Sequence, residues 1–222
     1  MCIRDRVYTG TPARFDTTSF DKLNKEECKK EFGLDKISKK IVLVTCGSQG
    51  AVRVNETIIE MLKNNLVNDY FIVLVTGNKN YDNIKSKIEK IGKENNIDFS
   101  NKIRIEKFVY DMDKMYKAVD MCITRAGAMT ITELALSAKP AILIPLPTAA
   151  ENHQLYNAKV LENIGAGKII EQKDLNANSL DLKIKEMTKE NNLDEMSKNA
   201  RKVVKLDVEE KIYKCILDAL KK

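Results

Sequence analysis

Tryptophan is absent from this 222-residue sequence and histidine occurs once. No apolar run approaches the roughly 18 residues of a membrane span, and the start lacks the charged-then-apolar layout of a signal peptide. A cytoplasmic protein is therefore expected. The five cysteines stand at positions 2, 28, 46, 122 and 215 with no Cys-x-x-Cys spacing, which argues against a zinc site. Cys46 ends an apolar run and Cys122 lies inside another, as expected of buried free thiols in a reducing compartment. With His153 the only histidine and no cysteine placed as a nucleophile, nothing here composes a catalytic triad or a metal site. Basic block, internal repeat and low-complexity linker are missing too. The 38 Lys and Arg against 32 Asp and Glu give a net charge of +6, interspersed along helical patterns. That reads as a solvated surface rather than a nucleic-acid face, so no nucleic-acid partner is expected. The mild positive field still suits an anionic ligand or an anionic lipid surface.

What the chain does have is enough apolar content, 43%, for one sizeable α/β core. Short apolar runs at Ile41 to Thr45, Phe71 to Thr76, Ile103 to Phe108, Met121 to Thr124, Ala141 to Ile144 and Lys168 to Ile170 read as strands. Amphipathic stretches alternate with them at Val54 to Asn64, Asn80 to Asn95, Met112 to Ala118, Ala128 to Ser137 and His153 to Ile164. Strict alternation predicts a Rossmann-like parallel sheet with helices on both faces. Such sheets bind ligands at the carboxyl ends of their strands. Beyond Leu175 the pattern is purely helical, with candidates at Leu180 to Glu190, Leu193 to Val204 and Val208 to Leu220. The opening six residues fit no element and suggest a truncated or artificially joined start.

Three post-strand loops carry candidate chemistry. Gly47-Ser48-Gln49-Gly50-Ala51 is a phosphate-compatible turn ahead of a helix, but it has neither the G-x-G-x-x-G spacing of a dinucleotide fingerprint nor the Lys-Ser/Thr pair of a P-loop. Arg125-Ala126-Gly127-Ala128-Met129-Thr130-Ile131-Thr132-Glu133 leaves a strand and opens a helix. Its small residues at 126 to 128 would admit a diphosphate to the helix N-terminus, with amides and the Thr130 hydroxyl as donors and Glu133 accepting from a ribose. The same spacing equally fits a plain Thr-x-x-Glu capping box, so both readings stand. The third loop, Pro145 to Gln154, presents polar groups as a helix begins, and His153 within it reads as a surface or capping group rather than a catalyst. Met and Tyr residues at helical spacing in Phe108 to Tyr116 read as core, although the backbone at Val109 sits where a base could rest.

Taken together, the Gly47 to Ala51 turn followed by Asn55, the Arg125 to Glu133 block, and Asn152-His153-Gln154 followed by Asn157-Ala158 resemble the MurG family of cell-wall glycosyltransferases. The resemblance runs from about Thr9 to the C-terminus and covers that family's C-terminal, donor-binding half. Gly10-Thr11-Pro12-Ala13-Arg14 is similar to its interdomain segment, with Thr11 in place of the usual Asn; Cys46 stands where many relatives have glycine. The resemblance implies a two-domain GT-B architecture with residues 1–17 as the start and interdomain segment and residues 18–222 as the UDP-sugar-binding domain with C-terminal helices. It implies transfer of GlcNAc from UDP-GlcNAc to an undecaprenyl-pyrophosphoryl-muramyl-pentapeptide at the cytoplasmic membrane surface, inverting and without metal or other cofactor. Carried over residue by residue, Arg14 and Ser48 meet the diphosphate or sugar and the Val109 backbone meets uracil. Ala128, Met129, Thr130, Ile131 and Thr132 form the diphosphate-facing helix start, Glu133 binds ribose, and Gln154 orients sugar hydroxyls. The base belongs to an N-terminal domain that nothing here resembles, so the isolated chain is expected to be inactive, with the lipid-linked acceptor held by the other half.

Three rival readings remain. One is a non-catalytic donor-binding subunit of a split GlcNAc transferase, which a coexpressed membrane-associated partner would activate. Another is a UDP-GlcNAc epimerase-like domain, which needs more titratable groups than these loops supply. A nicotinamide-dependent oxidoreductase would need an acid at the end of the second strand, where Gly77-Asn78-Lys79 stands.

Overall fold

The computed structural model describes residues 7–47, 51–205 and 207–220. Strands β1 (Lys40–Thr45), β2 (Tyr70–Val75), β3 (Ile103–Glu106), β4 (Met121–Thr124), β5 (Ala141–Leu143) and β6 (Gly167–Ile169) form one sheet in the order β3-β2-β1-β4-β5-β6. Every pairing is parallel. The helices between them are α3 (Val52–Lys63), α4 (Tyr81–Asn95), α5 (Met112–Ala118), α6 (Ala128–Leu136) and α7 (His153–Asn163). The expected α/β alternation is therefore present, with boundaries shifted by a residue or two at most ends. β3 stops at Glu106 rather than Phe108, because Phe108 and Val109 turn away into the loop layer.

Side-chain alternation along the strands separates two apolar layers. Val42, Val44, Ile72, Leu74, Met121 and Ile123 face α3, α4 and the helix α8 (Ala177–Met187). Ile41, Leu43, Phe71, Val73, Cys122 and Leu143 face the opposite way, against α5, α6 and α7. Both faces of the sheet are covered, which is why the strands read as continuous apolar runs rather than alternating ones. Buried Tyr70 ties β2 to α8, its hydroxyl donating to Asp181 Oδ1 at 2.8 Å while Lys185 meets the other carboxylate oxygen at 3.0 Å.

Two helices had no counterpart in the periodicity reading: α1 (Thr17–Asp21) and α2 (Lys25–Glu31). Each is too short for a periodicity window, yet both carry cap signals. Asp16 accepts from the Ser19 amide in a capping box, and Asn24 accepts from the amides of Glu26 and Glu27. They place Phe20 and Cys28 in the core beside α5. In the C-terminal part, α8 starts three residues before the expected Leu180 because Asn176 and Ser179 cap it reciprocally. The next helix, α9 (Asn192–Ala200), gives way to a 3-10 turn at Arg201–Val203 instead of running to Val204. The last helix, α10 (Val208–Leu220), buries none of its residues.

The described cysteines, Cys28, Cys46, Cys122 and Cys215, are free. Cys122 is buried as expected and Cys28 is buried too, whereas Cys46, expected to be buried, is half-buried, as is Cys215. Burial pushes the Cys122 thiol up to about 12 and that of Cys46 up to about 11, so both stay protonated. Among the described residues, no helix is long and apolar enough to cross a membrane and no cluster of three or more His, Cys, Asp or Glu could hold a metal ion. The first six residues, whose start was expected to be truncated or joined, lie outside the described residues.

Candidate functional site

The strand order reverses direction of winding between β1 and β4, and a crevice forms beyond the carboxyl ends of such neighbours. A cavity of about 250 Å³ opens there, bounded by Thr45 at the end of β1 and Gly47 after it, Gly77 after β2, and Thr124 at the end of β4. Gly47 has φ +78, which only glycine adopts without strain. The volume lies near the lower end of small-ligand sites, roughly 300–1,000 Å³, and suits a nucleoside-sized group with the rest of a ligand emerging at the rim. A larger groove of about 720 Å³ lies between α4 and β3 at the sheet edge, but it holds none of the residues singled out above.

Arg14, Val109, Met129, Thr130 and Glu133 line the crevice cavity together, although they come from three distant segments of the chain. Phe108, Met112 and Tyr116 join them. Ala128, Ile131 and Thr132 lie on the same helix but line a neighbouring cavity, shared with Tyr8, Gly10 and Val208. Gln154 lines neither. Its Oε1 accepts from the backbone amides of Ala126 at 3.3 Å and Leu146 at 3.0 Å, so it pins the turn into α6 to the proline loop. Oriented this way, the Gln154 amide presents its nitrogen as a pure donor. Ser48, with Gln49 and Gly50, lies outside the described residues.

Helix α6 begins at Ala128, with Gly127 as its N-cap and no side-chain cap. The capping-box reading of Thr130 and Glu133 is thereby corrected. Both residues are inside the helix, one turn too late to cap it, and the first-turn amides keep their donors and the positive end of the helix dipole. Gly127 itself has φ −66, and a Cβ added there would meet only Thr130 Oγ1 at 3.8 Å. Folding does not require glycine at that position; close approach of a ligand would.

Glu133 is 7% exposed and accepts a hydrogen bond from the Tyr116 hydroxyl at 3.3 Å. Burial raises its carboxyl above the usual range, opposed by the Tyr116 hydrogen bond and by the charge of Arg14. Arg125, which the sequence groups with this block, works differently: it donates to the carbonyls of Ile144 at 3.0 Å and Pro145 at 3.3 Å and to Gln172 at 2.7 Å. It thus braces three post-strand loops. Asn157 adds a bond to the Ala126 carbonyl at 3.0 Å. His153 is exposed, with Nδ1 2.8 Å from the Ala150 carbonyl, the local contact expected of a capping group.

Tyr116 is core, at 2% exposure, yet it also lines the cavity, with its hydroxyl turned to Glu133. Spacing alone gives no signal for that second role. A tyrosine at a position that phenylalanine would fill equally well is the only sequence-level hint.

The family model for the glycosyltransferase family 28 C-terminal domain matches residues 41–212. The UDP-N-acetylglucosamine:N-acetylmuramyl-(pentapeptide) pyrophosphoryl-undecaprenol N-acetylglucosamine transferase of Caldanaerobacter subterraneus subsp. tengcongensis is 37% identical over 213 residues, covering 95% of this chain and 56% of the relative. The enzyme of the same name from Aquifex aeolicus is 36% identical, again over 95% of this chain and 56% of the relative. This chain therefore spans about half the length of the curated relatives it matches. Among solved structures, Acinetobacter baumannii MurG superposes with a TM-score of 0.72 at 27% identity, covering 90% of this chain and 54% of that one. WaaG, a glycosyltransferase of lipopolysaccharide biosynthesis, shares the fold at a TM-score of 0.58 and 16% identity, over 86% of this chain and 50% of that one.

Proposed function

The chain belongs to glycosyltransferase family 28, as a MurG-type C-terminal domain of GT-B architecture, and we propose that it binds UDP-GlcNAc as the donor half of a peptidoglycan-precursor GlcNAc transferase. Uracil rests against the Val109 backbone, and Glu133 accepts from the ribose. The diphosphate sits at the N-terminus of α6, over Ala128 to Thr132, with Arg14 and Ser48 on the diphosphate or sugar. Gln154 donates its amide nitrogen to a sugar hydroxyl. Residues 18–222 form this donor domain and residues 1–17 the segment leading into it.

The observation that carries the reading is the crevice cavity itself. It joins Arg14, Val109, Met129, Thr130 and Glu133 around the uncapped end of α6. In an inverting displacement at the anomeric carbon, negative charge grows on the departing diphosphate. Fixed amides, a helix dipole worth up to about 2 kcal/mol in partly buried settings, and an arginine stabilise that charge without reorganisation. Deprotonation of the acceptor hydroxyl falls to a base outside this chain. The acceptor is the undecaprenyl-linked muramyl-pentapeptide, which places the complete enzyme at the cytoplasmic membrane surface.

Calorimetric titration of the chain with UDP-GlcNAc, UDP-glucose and ADP, without added metal, tests this. Binding is expected for UDP-GlcNAc, weaker binding for UDP-glucose, and none for ADP. Equal binding of ADP, or none of UDP-GlcNAc by folded protein, contradicts the assignment.

A further inference from the structure

Buried Glu133 carries two oxygens at the cavity wall, and their division of labour decides which way the carboxylate faces. Oε2 is taken by the Tyr116 hydroxyl at 3.3 Å. The tyrosine ring has little freedom: it is 2% exposed and packs against Phe15 with ring centres 6.3 Å apart. Burial holds its hydroxyl well above its ordinary value, so it remains a donor. Tyr116 also sits on α5, which begins three residues after Val109, so the helix that carries the tyrosine emerges directly from the loop that meets the base.

The geometry points to Tyr116 as the positioning residue that fixes Glu133 with one oxygen turned toward the ribose hydroxyls. This rests on the donor-site reading above and adds to it a residue that touches no substrate. The hydroxyl acts through Glu133 alone. Without it, the carboxylate of Glu133 loses its only hydrogen-bonding side-chain neighbour among the described residues and is free to swing toward the charge of Arg14. The ring and its packing are unchanged in phenylalanine, so the effect of Tyr116→Phe isolates the hydroxyl.

The test is titration of the full chain and its Tyr116→Phe variant with UDP, 2′-deoxy-UDP and 3′-deoxy-UDP, alongside thermal melts. The parent chain is expected to prefer UDP over at least one deoxy form. In the variant, UDP affinity is expected to fall about five- to tenfold while the deoxy forms bind as before, so the ribose preference collapses. A hydroxyl that merely stabilises the core lowers the melting temperature and leaves that preference intact, and this result would overturn the proposal. Glu133→Gln supplies the second check. If Tyr116→Phe acts through Glu133, it costs much less UDP affinity in the Glu133→Gln background than alone, whereas fully additive losses overturn it. If the parent chain fails to bind UDP, or binds it without any ribose preference, the donor-site reading itself fails and the positioning role goes with it.

Discussion

A Gly127→Val chain is expected to fold and yet bind UDP about a hundredfold more weakly, while uridine keeps its affinity. The backbone at Gly127 has φ −66 and ψ 150, a conformation valine adopts freely, and a Cβ there meets only Thr130 Oγ1 at 3.8 Å. Valine is a poorer N-cap than glycine, so a loss of about 1 kcal/mol in stability is expected. The side chain nonetheless projects where a phosphate must approach the first-turn amides of α6. Two charge-assisted hydrogen bonds lost at about 1.5–3 kcal/mol each account for a drop of this size or larger. Uridine lacks phosphates and is indifferent. Calorimetry for UDP and a nuclear magnetic resonance titration for uridine read the two affinities; parallel loss of both would mean that valine had disturbed the fold around the cavity.

Glu133→Gln is expected to separate binding from stability. Weakening of UDP by roughly ten- to thirtyfold follows from exchanging a charged acceptor for a neutral one facing ribose hydroxyls. Stability should move the other way. Burial raises the Glu133 carboxyl in the folded state, so the folded protein favours its protonated form. A raised folded value means the contribution to stability is fully present below the unfolded value and is lost as pH rises through the folded one. At neutral pH the ionised Glu133 is therefore a burden on the unliganded fold, and glutamine should hold or raise the melting temperature. Binding has the opposite dependence: UDP affinity of the parent chain should decline as pH falls through the raised Glu133 value, and the Gln variant should lack that decline. Unchanged affinity with a lower melting temperature would show that Glu133 serves the fold alone.

Most of the architecture was legible because β1, β2, β4 and β5 are short runs of mostly buried apolar residues punctuated by turn residues. Ile41 to Thr45 and Phe71 to Thr76 are cases in which apolar run and strand nearly coincide. The short helices α1 and α2 escaped because their signal lies in caps, Asp16 with Ser19 and Asn24 with Glu27, rather than in periodicity. The choice between a capping box and a ligand site at Thr130 and Glu133 was undecidable in the sequence, since the same residues satisfy both. It turns on where α6 starts, which the Gly127 backbone fixes. Convergence of Arg14 with Val109 and Glu133 depends on tertiary packing, which no local pattern encodes. The role of Gln154 divides in the same way: its oxygen is spent on two backbone amides, and only the folded loop reveals that its nitrogen is the group left to present.

The most direct measurement of the central claim is the set of backbone amide shifts of the isotope-labelled chain on addition of UDP. If the crevice between β1 and β4 holds the nucleotide, the amides of Val109, Ala128 and Met129 should move together and saturably. Shifts gathered instead around the groove between α4 and β3, with those three amides unmoved, would contradict it.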